Sequence, residues 1–276
     1  MLGAVMKSLI RQSATVGLVG STLAGSLLMG TLQVLALTQE QIVQKLRPIP
    51  VFTIANNDGA PLVAAPPNGQ KGNPVAGVFI NQQDAQAFLD GLKNRSPEVA
   101  KNVRVVPVSL AEVYQLNQVT KEKKEKLDFT FVPSQQQVTT AQALVKQSDK
   151  KDQQFTGTPL FVARGGAEKG YLTIQQGNKS VIPMFFKKEE LQSLMDRFKQ
   201  QDPKVASTLE IQVLNLEGVI EVLRTKNDPQ LEQIVLVPPR ESIEYVQTLL
   251  EKNKKPGATP ARPQVAPANK PATPKK

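Results

Sequence analysis

The sequence predicts an α/β fold made of two pseudo-symmetric repeats of mixed β-sheet covered by helices, preceded by a signal peptide and followed by a disordered tail. Three observations carry this expectation. The stretch from Val75 to Leu116 recurs 106 residues later, from Val181 to Val222, without a gap, and ten of its 42 positions are identical. Roughly two or three matches would arise at average residue usage. Helix-period and strand-like segments alternate through both copies. Both ends of the chain depart from the middle in composition.

The predicted organisation is a signal peptide over 1–36, an N-terminal helix over 37–49, repeat units over 50–150 and 151–251, and a basic Pro/Ala/Lys tail over 252–276. Lys7 and Arg11 precede an uncharged run from Ala14 to Leu37 that closes on Val34-Leu35-Ala36. That pattern reads as an export signal cut after Ala36, with an uncleaved anchor as the alternative because the run is long enough to span a bilayer. Thr38 and Gln41 have capping-box spacing ahead of Ile42, Val43 and Leu46, and Pro48 ends the pattern.

Pro50–Ala55 is strand-like and resembles Pro159–Arg164. The Pro- and Gly-dense segment from Pro61 to Pro74 reads as a loop, whereas its counterpart, Arg164 to Ser180, contains YLTIQ and suggests extra hairpin strands. In the repeated helix, Ala85, Phe88, Leu89 and Leu92 correspond to Leu191, Leu194, Met195 and Phe198, one buried face written twice. Asn81 is placed to cap the first copy, and Lys187 cannot cap the second. Pro97 and Pro203 break both helices, each leaving room for one more turn.

Strands are expected at Val103–Val108 and Leu209–Leu214. Short helices follow, with Val113/Val219 and Leu116/Val222 facing the core. The charged segment from Lys121 to Lys126 reads as a solvated loop. Closing strands run into Pro133 and Pro238, and closing helices carry Val138, Ala141 and Val145, or Ile243, Val246 and Leu250, as buried stripes. Ser134 and Gln137 have capping-box spacing.

Composition narrows the chemistry. The chain has no histidine and no cysteine, which removes thiolate nucleophiles, histidine bases and the ordinary zinc sites. Of 34 basic residues, two precede Leu37 and seven lie in the tail, leaving 25 against 24 acidic residues between Leu37 and Glu251. A nearly neutral body does not hold nucleic acid by neutralising phosphates. Arg164–Gly170 (RGGAEKG) lacks dinucleotide-loop spacing, and Ser148 with Lys151 lies in a polar connector without a pocket. Glu189/Glu190 and Glu241/Glu244 are explained by helix N-termini. The expectation is a non-enzyme with no catalytic residue, cofactor or metal.

The ordered set TQEQIVQKL, PVFTIAN, VFINQQDAQAFL, PVSLAEVYQL, GTPLFVAR, YLTI, IPMFFKKEELQ and LVPPRES resembles the twenty-two-kilodalton soluble subunit family of the chloroplast inner-envelope translocon, in its cyanobacterial form. The resemblance covers Thr38 to about Leu250. It implies two pseudo-symmetric halves with apolar grooves and an exported location, periplasm or thylakoid lumen, equivalent to the chloroplast intermembrane space. It also implies a chaperone-like role in protein translocation and outer-membrane biogenesis, with unfolded preproteins, outer-membrane proteins and Omp85-type barrels as partners. On the residues themselves, Tyr114, Phe161, Tyr171, Met184 and Phe186 have no clear place in a core stripe and are the candidate client-binding set, with core packing as the alternative. A competing expectation is a periplasmic scaffold whose basic tail binds cell wall or membrane surface and gives peripheral membrane association.

Overall fold

A duplicated pattern of strands and amphipathic helices must bury two faces of every sheet, and here it does so with two sheets sharing one central core. The structure is a computed structural model and describes residues 16–18, 36–65, 72–122, 127–148, 153–166 and 169–254. Of the segment expected as a signal peptide, only Val16–Leu18, which forms strand β1, and Ala36 are described; the rest lies outside the described residues. Helix α1 (Gln39–Leu46) starts on the expected capping box, in which Gln41 N donates to Thr38 Oγ1 and Thr38 N donates to Gln41 Oε1.

The first sheet contains β2 (Pro50–Asn56), β3 (Val63–Ala64), β4 (Val75–Phe79), β5 (Val103–Ser109) and β6 (Asp128–Val132). The second contains β7 (Pro159–Gly165), β8 (Gly170–Gln176), β9 (Lys179–Phe185), β10 (Glu210–Asn215) and β11 (Ile234–Val237). In the first, β4 pairs parallel with β6 and antiparallel with β2, and β2 pairs antiparallel with β5. In the second, β9, β11, β7 and β10 repeat this arrangement. The register repeats too, because Phe52 opposes Phe79 and Phe161 opposes Phe185. The expected loop from Pro61 to Pro74 contains the two-residue β3, with residues 66–71 outside the described set, while its counterpart forms the expected hairpin strand β8. Gly177, at φ +63, makes the tight turn between β8 and β9.

Helices α2 (Gln82–Arg95) and α3 (Pro97–Ala100) correspond residue for residue to α6 (Lys188–Gln201) and α7 (Pro203–Ala206). Asn81 caps α2 by accepting from Asp84 N at 2.8 Å, and Lys187 makes no such bond to α6. The short helices are α4 (Leu110–Glu122) and α8 (Leu216–Thr225); the charged segment continues α4 as far as Glu122, and residues 123–126 are not described.

The inner faces of both sheets, with α1, α4 and α8, form one core that includes Leu46, Val51, Val78, Leu110, Leu160, Ile182 and Leu216. The outer faces are covered separately, and here the halves exchange parts. The closing helix of the first repeat, α5 (Gln135–Gln147), places Ala141 and Leu144 against Phe161 and Phe185 of the second sheet. The closing helix of the second repeat, α9 (Arg240–Lys254), places Tyr245 edge-on to Phe52 of the first, with ring centroids 5.7 Å apart and planes at 71°. The division at 150/151 therefore marks the duplication and not two separate bodies, since each sheet takes one outer helix from its own repeat, α2 or α6, and a second from the other.

Several sequence expectations change accordingly. Val222 and Leu250 are exposed, because α8 and α9 each bury a neighbouring stripe instead. Phe88 is also 42% exposed, resting its ring 5.5 Å from Phe79 with the Arg95 guanidinium 6.0 Å from its own centroid. Ser134 forms no capping box, because Gln137 is turned away to bridge α5 to α6: its Nε2 donates to Glu189 and its Oε1 accepts from Lys188 N. The last helix runs through Lys254, past the start expected for the tail, and residues 255–276 are not described.

Candidate functional site

The short helix α8 and the sheet beneath it enclose an apolar groove of about 380 Å³. Its floor is Ile182 and Met184 of β9 with Leu214 of β10, one wall is Gly218, Val219 and Val222 of α8, and the other is Gln230, Leu231 and Ile234 of the 3₁₀ turn Pro229–Gln233 and β11. Tyr171 of β8 closes one end. A space of this size, lined mostly by carbon, accepts a few apolar side chains.

Local chemistry sets this shape. Asn215 ends β10 and caps α8, its Oδ1 accepting from Gly218 N at 2.7 Å. A Cβ at position 218 would press on that same Asn215 oxygen, the tip of a flexible side chain that would have to shift from its capping position, and glycine leaves the groove wall open. Glu217 fixes the helix start to the sheet by accepting from both the backbone N–H and the hydroxyl of Thr158. On the far wall, Asp228 caps the 3₁₀ turn through Gln230 N. Lys45 of α1 braces that turn by donating to the carbonyls of Glu232 and Ile234. Burial pushes the Lys45 ammonium below its usual range, with the nearby Glu232 charge opposing the shift.

A second, polar cleft of about 240 Å³ lies where α2, α5, α6 and α9 begin. Its lining includes Asn81, Asp84, Gln137, Lys187 and Glu241. Burial acts against the charge on Lys187, but its 3.0 Å contact with Glu241 outweighs this and its pKa is raised. Burial raises the Glu190 carboxyl, although Arg240 N donates to it. These partners join α6 to α9, so the cleft is the seam of the helix exchange, with Lys187 paired to Glu241 and Asp84 accepting from the Asn81 amide. Among the described residues no His/Cys/Asp/Glu group has metal-binding geometry.

The five residues singled out from the sequence divide between these places. Tyr171 and Met184 line the apolar groove, and Phe186 borders the polar cleft. Tyr114 is buried in the central core, and Phe161 is fully buried under α5. Phe161 is therefore a packing residue whose counterpart, Phe52, is equally buried. Met184 and Phe186 are buried as well and offer only an edge, so half-buried Tyr171 is the main contact surface of the five. Sequence reasoning missed Val219 and Val222 as site residues. The available signal was the excess of apolar positions on α8 (216, 219, 220, 222 and 223), more than a single core-facing stripe needs.

A family model described as the Tic22-like family matches residues 2–248. Over 217 residues the chain is 27% identical to the chloroplastic protein TIC 22-like of Arabidopsis thaliana, covering 77% of this chain and 64% of that protein's length. It is 26% identical over 204 residues to chloroplastic TIC 22 of Pisum sativum, covering 74% of each. Among solved structures, Anabaena Tic22, described as a protein-transport protein, superposes with a TM-score of 0.67 at 37% identity, over 77% of this chain and 97% of that one. Tic22 from Plasmodium falciparum shares the fold at a TM-score of 0.62 and 22% identity, over 77% of this chain and 99% of the other.

Proposed function

The chain belongs to the Tic22-like family, and from that membership we propose that it serves protein transport as a chaperone-like factor outside the cytoplasm, in the periplasm or thylakoid lumen. It holds unfolded preproteins or outer-membrane proteins and passes them to Omp85-type barrels. The reading assigns no catalytic residue and no cofactor. The observation that carries it is the apolar groove under α8, where Tyr171 and Val222 offer carbon surface without a fixed reactive group. Val222 is 38% exposed at its mouth.

The test is a fluorescence titration of a labelled, urea-unfolded outer-membrane barrel protein with the full chain, read together with light scattering of the diluted barrel protein. Binding that suppresses scattering and persists at high salt is expected, since screening removes exposed charge contacts and leaves apolar ones. Val222→Asp is expected to weaken binding by about tenfold or more at unchanged melting temperature, because it puts a charge where an apolar side chain must dock. Binding that salt abolishes, or that disappears only when residues 255–276 are removed, would move the function to the basic tail and sink the groove reading.

A further inference from the structure

We propose that the outer edge of β8 is a strand-addition site for extended, uncharged apolar polypeptide segments, and that the chain's own residues 16–18 occupy it in cis. The proposal rests on the polypeptide-binding reading above and says where main-chain pairing would occur. Ile174 is paired on both sides, with Val181 of β9 and with Val16 of β1, so β1 lies on the edge opposite β9. From Leu172 to Ile174, among the described residues, β1 is the strand that takes that edge. Exposed edges are ordinarily guarded by charge, proline or a bulge, and β8 (GYLTIQQ) contains neither charge nor proline. The segment held by β1 lies beside the groove, since the preceding residue, Tyr171, pairs with Arg164 of β7 and lines the groove's end. Residues 16–18 belong to the uncharged run from Ala14 to Leu37, the chemistry of an apolar segment in transit. Main-chain pairing is indifferent to side-chain identity, which suits clients of many sequences. Cleavage after Ala36 would remove β1 and leave the edge open.

The test compares the full chain with Gly17→Pro/Leu18→Pro. Successive strand residues face opposite edges, so one of the two prolines removes a donor aimed at β8. The described core begins at Leu37, so the fold is expected to be kept, and the melting temperature checks this. The probe is a fluorescein-labelled peptide of residues 14–20, ATVGLVG, followed by anisotropy and by hydrogen exchange at Leu172, Thr173 and Ile174. A tethered strand competes at an effective concentration near the millimolar range, so the variant is expected to bind the peptide about tenfold more tightly. Because N–H groups alternate along β8, either 172 and 174 or 173 alone faces the outer edge, and exchange at that set should be fast in the free variant and slowed by peptide while the other stays protected. Equal affinity for the two chains, or exchange there that neither prolines nor peptide alter, overturns the proposal. The unfolded barrel protein, titrated into both chains, separates the two readings. Barrel binding without a response at 172–174 removes the edge and leaves the groove, and absence of all binding removes both.

Discussion

The two halves have the same strand register and treat the space beside their short helices differently. In the first, position 112 is a glutamate whose Oε2 accepts from Ser109 N at the start of α4. In the second, the corresponding Gly218 gives its N–H to Asn215 and leaves the groove wall bare. The first half has the two-residue β3 where the second has the seven-residue β8, along which β1 pairs. Positions identical between the copies, such as Phe79/Phe185, Leu110/Leu216 and Val113/Val219, are buried in both. Positions that differ, such as Ala76/Ile182, Val78/Met184 and Leu116/Val222, supply most of the groove's lining, to which the identical position Val219 contributes only a buried edge. Duplication thus preserved the packing frame, and divergence on one side of it made a binding surface.

The largest expected effect comes from undoing the helix exchange. A chain ending at Pro238 loses α9 and with it the contacts of Ile243 and Tyr245, uncovering the part of the first sheet's outer face that α2 does not reach, although every strand remains. Loss of cooperative unfolding is expected in urea, with hydrogen exchange collapsing first in β2 and β4; protection kept there would show that the halves are independent. Next, Phe52→Ala and Phe161→Ala should each cost about 3–5 kcal/mol by urea titration, since both rings are fully buried. Phe52→Ala should be the costlier by about 1 kcal/mol, because it also forfeits the edge contact with Tyr245.

Gly218→Glu, which restores the first half's residue, is expected to displace the Asn215 cap and to abolish apolar peptide binding, as followed by anisotropy, with thermal melts checking that the fold is kept. Asn81→Ala should destabilise by about 1 kcal/mol by removing the cap of α2, whereas Lys187→Asn at the equivalent uncapped position should gain a comparable amount. If both substitutions destabilise, the Lys187–Glu241 pair outweighs the missing cap.

Glu190→Gln should have the smallest effect. Burial raises this carboxyl's pKa in the folded chain, so ionisation costs stability as pH rises through that value. Glutamine keeps the acceptor for Arg240 N, and the variant should melt about 1–3 °C higher at pH 7. The difference should vanish near pH 4, where glutamate is protonated in both folded and unfolded chains. A difference constant with pH would assign the effect to packing.

Most of the fold was legible because duplication writes the register twice. Thr38, Asn81, Pro97 and Pro203 mark their boundaries through local hydrogen bonding or ring geometry, which sequence displays directly. The helix exchange was not legible, since the stripe of Val138, Ala141 and Val145 says that α5 is covered on one side without saying which sheet covers it. The same limit explains Gln137, whose capping-box spacing is local but whose partners, Lys188 and Glu189, are some fifty residues away. The groove was half legible. Tyr171 and Met184 stood out as unplaced residues, whereas Val219 and Val222 read as ordinary core until α8 was seen to bury only part of its apolar surface.

The crossed closing helices also order events in time. All strands of the first sheet are made once Val132 has left the ribosome, yet the helix that seals its outer face ends at Lys254, about 120 residues later. At ordinary synthesis rates that is roughly 6–24 s during which Phe52 and Phe79 lack their final cover. The nascent chain cannot finish one half and then the other, so it remains pliable until its C-terminal end is present. Under the proposed function, in which the chain crosses a membrane, such a delay would leave the first half threadable for longer than a repeat that closed on itself.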